Sequence, residues 1–121
     1  MPHRWYTMFR DAARGVRFAI GGERNFRVHV PAAVAVVAAG AYFRVTAAEW
    51  LALTLCITLV FVAEMLNTSI EHLAKVITRQ HSEPIGAALD IAAGAVLIAA
   101  LGSVACGLLI FVPYMRAMWT T

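Results

Sequence analysis

Charge is what this sequence has least of. Asp, Glu, Lys and Arg make up 14% of its 121 residues, while 61% are hydrophobic. Soluble domains carry about 25% charged and about 45–50% apolar residues. With a mean hydropathy of +0.73, the composition excludes an ordinary soluble domain and points to an integral membrane protein. Cysteine is scarce too. Cys56 and Cys106 each lie inside an apolar run, which excludes a disulfide framework or a thiolate metal site and makes both small buried hydrophobes. The sequence has no Walker A loop, no Gly-rich kinase loop and no HRD-type catalytic loop, so none of the soluble phosphate-binding frameworks is present. No compact apolar stretch with a small-residue cleavage site opens the chain. Arginines are instead spread through the first thirty residues, and a secretory signal peptide is not expected. The net charge of +3 comes from basic residues flanking apolar runs without any nucleic-acid motif. The expected partner of that charge is an anionic membrane surface, and no nucleic acid. The length suits one small domain over residues 1–121.

Four segments carry the apolar content. Residues 3–20 read as an amphipathic helix. Trp5, Met8, Phe9, Ala12, Ala13, Val16, Ala19 and Ile20 fall on one side, with Arg4, Arg10, Asp11, Arg14 and Arg17 on the other. An Arg-rich face opposite Trp and Phe suits a helix lying among lipid headgroups; a solvent-facing helix packed on its own protein is the alternative. Gly21 and Gly22 are expected to break it. The apolar run 30–43, with Pro31 near its start, is short of a ~30 Å hydrocarbon core and spans only if the helix begins near Phe26. A second span follows a Thr46/Glu49 capping box, with Trp50 as an interfacial anchor. It continues past Glu64 to about Ile77, where it emerges into water. Residues 91–112 contain no charge, and Ala95, Ala99, Ser103 and Gly107 form a small-residue stripe suited to helix packing. The expected spans are about 27–44, 48–77 and 86–115. Arg4, Arg10, Arg14, Arg17, Arg24, Arg27, Lys75 and Arg79 fall on one side of that arrangement, and only Arg44 and Arg116 on the other. The amino terminus and the second loop are therefore expected in the cytoplasm.

Acids are few, so their positions are informative. Glu23, Glu64, Glu71, Glu83 and Asp90 all map to the cytoplasmic interface of this topology. Glu64, Asn67 and Glu71 share one helix face. Ionisable groups within spans are costly and mark functional sites by default. Converging carboxylates suit Mg²⁺, which takes one or two of them plus substrate phosphates, and nearby arginines suit phosphate recognition. Phosphoryl transfer uses such parts. The other reading of Glu64 and Asn67, equally open on spacing, is polar glue between helices, paired with an arginine. Glu71, Glu83 and Lys75 also fit an ordinary solvated face. The dispersed His3, His29, His72 and His81 have no ligand spacing and read as interfacial.

Three stretches carry a resemblance: "EMLNTSIE" at 64–71, "ALDIAAGAVL" at 88–97 and "GERNFRVH" at 22–29. Together, over about residues 4–112, the chain resembles the small prokaryotic diacylglycerol kinase and undecaprenol kinase family. The resemblance implies an all-α membrane protein, with an N-terminal amphipathic surface helix and three transmembrane helices, assembled as a homotrimer. It implies residence in the bacterial inner membrane and an active site at the cytoplasmic interface, where protomers meet. There a lipid alcohol from the bilayer would meet ATP with Mg²⁺. By matching position, Glu64 resembles the base that takes the lipid hydroxyl's proton. Glu23 and Glu71 resemble the ligands of the metal bridging the ATP phosphates. Asn67 resembles the residue that orients this cluster. Arg4, Glu23, Glu71 and Asp90 match nucleotide-site positions, and residues 80–82 match the adenine-contacting region. Leu89 departs from the pattern, since the family commonly has lysine there; Arg17, Arg24 or Lys75 is the candidate replacement cation. Phosphorylation of diacylglycerol to phosphatidic acid is the expected activity, with undecaprenol as the alternative acceptor, toward which "ERNFRVH" leans. A proton-coupled transporter with Glu64 as carrier and an inactive kinase-derived scaffold are the rivals from other classes. Acids gathered on one side disfavour the transporter.

Overall fold

The computed structural model describes residues 2–77 and 82–120. These form four helices, α1 (Pro2–Gly22), α2 (Phe26–Phe43), α3 (Ala47–Ile77) and α4 (Glu83–Thr120), with no strand among the described residues. Three of them, α2, α3 and α4, are long and apolar enough to cross a membrane. At about 1.5 Å per residue, α3 and α4 exceed the ~30 Å hydrocarbon thickness and have length left over for the interfaces.

The breaks fall where local chemistry places them, with one correction to the expectation from sequence. Gly21 and Gly22 do not break α1, which runs through both without a positive φ. The chain turns at residues 23–25 instead. α2 begins at Phe26, as a span over this short apolar run requires, and Pro31 lies in its second turn. Its missing N–H leaves the carbonyl of Arg27 without the usual intrahelical bond. At the far end of α2, Arg44 takes up left-handed geometry (φ 51°), and the backbone N–H of Val45 closes on the Gly40 carbonyl at 3.1 Å. The Thr46/Glu49 capping box then starts α3. The Thr46 N–H donates to Glu49 Oε1 at 2.9 Å, and the Glu49 N–H donates to Thr46 Oγ1 at 3.2 Å.

α4 packs chiefly along α3. On α4 the covered residues are Ala92, Val96, Ala99, Ser103, Cys106 and Ile110, stepping by four and three as in a coiled-coil seam. A strict four-residue stripe drifts off this seam, which is why Ala95 ends up exposed while Ala99 is buried. Ser103 Oγ donates to the Cys56 carbonyl across the seam at 3.3 Å. Cys56 and Cys106 are both free and half-buried. On α3 the same alternation gives Leu53, Ile57, Val60, Glu64 and Asn67, so its last two members are polar. Near the α2–α3 turn, Val45, Leu53 and Ile110 form the apolar core, packed by Val36, Phe43, Trp50, Phe111 and Tyr114. Trp50 is more than an interfacial anchor. Its ring lies against Gly40, where an added Cβ would come within 2.6 Å of it.

Candidate active site

The polar end of the α3 seam builds the site. Glu64 is 2% exposed and Asn67 5%. A buried carboxylate needs hydrogen-bond partners to offset the loss of water, and Glu64 finds them on the first turn of α2. The side-chain amide of Asn25 donates to Glu64 Oε1 at 2.7 Å, and His29 Nε2 lies 3.0 Å from Glu64 Oε2. Asn25 and His29 are four residues apart, so one face of α2 presents both. Phe26, 1% exposed, packs edge-on against His29 and Phe61 and fixes that face against α3.

One turn further along α3, Asn67 Nδ2 donates to Glu71 Oε1 at 3.0 Å. The other side-chain atom, Asn67 Oδ1, is buried with no hydrogen-bond partner, as is Thr68 Oγ1. Glu23, in the turn between α1 and α2, reaches α3 at His72, with Oε1 2.7 Å from Nε2. Phe18 of α1 packs edge-on against the same imidazole. Glu23 thus meets α3 next to Glu71.

These groups border an open cleft of about 480 Å³. Arg24, Asn25 and His29 line one side and Glu64, Asn67 and Glu71 another, with Ala93 and Val96 of α4 as the apolar wall. Of the residues singled out from sequence, Glu64, Asn67 and Glu71 share this cleft. Glu23 stands beside it on His72. Arg4 and Asp90 are exposed and are not among its lining residues. Leu89, half-buried, brings no charge, and Arg24 is the cation in the lining. Gln80 and His81, from the matched adenine region, lie outside the described residues. Among the described residues no three His, Cys, Asp or Glu side chains are arranged to hold a metal ion. The sequence reading missed Asn25, His29 and His72. It set the histidines aside for lack of ligand spacing, yet two of them meet carboxylates across the helix interfaces. The available signal was Asn25 and His29 at four-residue spacing where a membrane span begins.

A bundle of membrane-length helices, with a buried glutamate opening into a cleft that also holds an arginine and a second glutamate, is the framework of an integral membrane protein with a polar site at the end of its spans. The family model for prokaryotic diacylglycerol kinase matches residues 10–111. The chain is 41% identical over 111 residues to the undecaprenol kinase of Bacillus subtilis (strain 168), covering 92% of this chain and 90% of that one. It is 38% identical over 106 residues to a diacylglycerol kinase of Synechocystis sp. (strain ATCC 27184 / PCC 6803 / Kazusa), covering 87% of this chain and 61% of that one. The chain belongs to the prokaryotic diacylglycerol kinase family and is a membrane lipid kinase.

Proposed function

We propose that the protein transfers the γ-phosphoryl group of ATP to the hydroxyl of a membrane lipid alcohol, with undecaprenol as the favoured acceptor and diacylglycerol as the second. The carrying observation is Glu64, a carboxylate buried to 2% exposure on an apolar span yet lining the polar cleft. Such a group stands where a hydroxyl from the bilayer can meet a nucleotide from water. The order of acceptors rests on the fuller match to the undecaprenol kinase, 90% of that chain against 61% for the diacylglycerol kinase.

In this reading the lipid hydroxyl gives its proton to Glu64 as its oxygen bonds to the γ-phosphorus. The bond from that phosphorus to the β,γ-bridging oxygen breaks, and ADP leaves. Glu64 acts as general base, a role that requires hydrogen-bond reach to the hydroxyl. Arg24 faces the phosphates in place of the cation missing at Leu89. Arg4 and Asp90, which do not line the cleft, are nucleotide contacts in this reading by the family resemblance alone. Glu23 and Glu71 are the residues that would hold Mg²⁺. Their hard oxygen atoms suit that ion, and two acids match the one or two carboxylates it takes alongside phosphate oxygens. The partnerless Asn67 Oδ1 adds a neutral oxygen next to Glu71, and the Asn67 amide orients that carboxylate. The chemistry that the ion would supply there, together with ATP, is neutralisation of charge on the transferring group. The rest of the reading is a homotrimer in the inner membrane, with α1 lying in the headgroup layer and the cleft facing the cytoplasm.

The test is phosphorylation in mixed micelles with Mg-ATP and each lipid in turn, with Glu64→Gln alongside. The expected result is turnover by the wild type with undecaprenol above diacylglycerol, and near loss in the variant. Equal turnover in both removes Glu64 from its role. An inert wild type with every lipid returns the scaffold reading.

A further inference from the structure

Glu64 is held entirely from another helix, and the way α2 is capped shows what that arrangement displaces. Asn25 occupies the N-cap position of α2, where asparagine ordinarily accepts a hydrogen bond from its own helix. Here it takes helical dihedrals (φ −67°, ψ −31°) and makes no side-chain cap. Its amide donates to Glu64 instead. A local rule broken without local compensation is expected at a functional site. His29 has an equally specific placement. It lines the polar cleft on one side. On the other it closes the end of an apolar pocket of about 250 Å³ between α2, α3 and α4. Its ring is fixed edge-on by Phe26, with centroids 6.4 Å apart. Among the described residues the carboxylate it meets is Glu64. The other charged side chains of the cleft are Arg24 and Glu71, and α4 contributes only Ala93 and Val96.

We propose that Asn25 and His29 are positioning residues for the phosphoryl-transfer reaction. They clamp the two oxygens of Glu64 from one face of α2, so that the carboxylate meets the lipid hydroxyl in a single orientation. This rests on the reading of Glu64 as the base. With both carboxylate oxygens engaged, rotation about the terminal bond of the side chain is blocked, and the free lone pairs point in fixed directions. In the clamp the imidazole Nε2–H donates to Oε2. His29 touches neither phosphate nor metal in this scheme and acts only through Glu64. It also stands at the boundary between apolar pocket and polar cleft, where the hydroxyl end of a lipid has to stop.

The experiment compares wild type, Glu64→Gln, His29→Leu and His29→Gly in micelles of the better lipid. His29→Leu is expected to lower kcat about 10- to 100-fold, the range found when a group that orients a catalytic ligand is lost, with the KM for Mg-ATP within about twofold. His29→Gly is expected to regain turnover on adding imidazole but not thiophene, which fills the same space without an N–H to donate. An activity-independent arm uses ¹⁵N-histidine labelling, where the His29 Nε2 resonance is expected to move in Glu64→Gln. Wild-type kcat in His29→Leu, equal rescue by thiophene, or an unmoved resonance each overturns the clamp while leaving the lipid-kinase reading intact. Full turnover in Glu64→Gln overturns both.

Discussion

Of the three glutamates on α3, Glu49 and Glu64 stand roughly four turns apart and are bound in opposite ways. Glu49, in the first turn, closes a capping box with Thr46 and also accepts from the Tyr114 hydroxyl of α4. Its partners complete a helix terminus and a helix–helix contact, and it lines neither the polar cleft nor the apolar pocket. Glu64 is nearly fully buried. Its partners come from α2 at sequence separations of 39 and 35 residues, and it lines a cleft shared with Arg24 and Glu71. The acid that satisfies the backbone is structural, whereas the acid that the backbone leaves to side chains from elsewhere is the one in a position to act.

The most severe challenge to that contrast is Glu64→Gln. Its turnover is expected to fall about 10²- to 10⁴-fold, the usual contribution of a general base, with the thermal midpoint in detergent close to wild type. Glu49→Gln has to show the reverse, with unchanged turnover per folded molecule. If both variants lose activity alike, the two acids do not differ as described. Next in size is Gly40→Ala, at the Glu49 end. The new Cβ would overlap the Trp50 ring, and overpacking of this kind costs about 1–3 kcal/mol. The thermal midpoint, followed by tryptophan fluorescence, is expected to fall. A rise would show that the ring has room to move. Glu49→Ala removes the reciprocal cap and is expected to cost about 1 kcal/mol, read from the same melt. Smallest is Arg44→Gly. Arg44 is the one non-glycine residue with positive φ among the described residues, and relieving that geometry is expected to stabilise by at most about 1 kcal/mol, without a change in turnover.

The helices were legible from the sequence because hydrophobic runs and capping residues act locally. The charge-free stretch of α4, the Thr46/Glu49 box and the shared face of Glu64, Asn67 and Glu71 all follow from periodicity. Errors came where helix ends depend on more than the nearest residues. Gly21 and Gly22 stay helical, whereas the start of α2 at Phe26 is the one its short apolar run requires. The clamp on Glu64 was invisible for a different reason. Asn25 and His29 acquire meaning only when α2 crosses α3, and no spacing along the chain encodes that crossing. Of the small-residue stripe, Ala99, Ser103 and Gly107 are covered within the chain and Ala95 is exposed, because the seam between α3 and α4 alternates steps of four and three.

The length of α2 has a consequence of its own. Its 18 residues make a rod of about 27 Å, against a hydrocarbon slab of about 30 Å. Such a rod has no slack. In a bilayer that α2 crosses, Asn25, immediately ahead of it, would stand at the edge of the slab, and through Asn25 so would the carboxylate of Glu64. α2 would then act as a depth gauge for Glu64. In a thicker membrane, hydrophobic mismatch would draw the mouth of the cleft inward among the lipid tails.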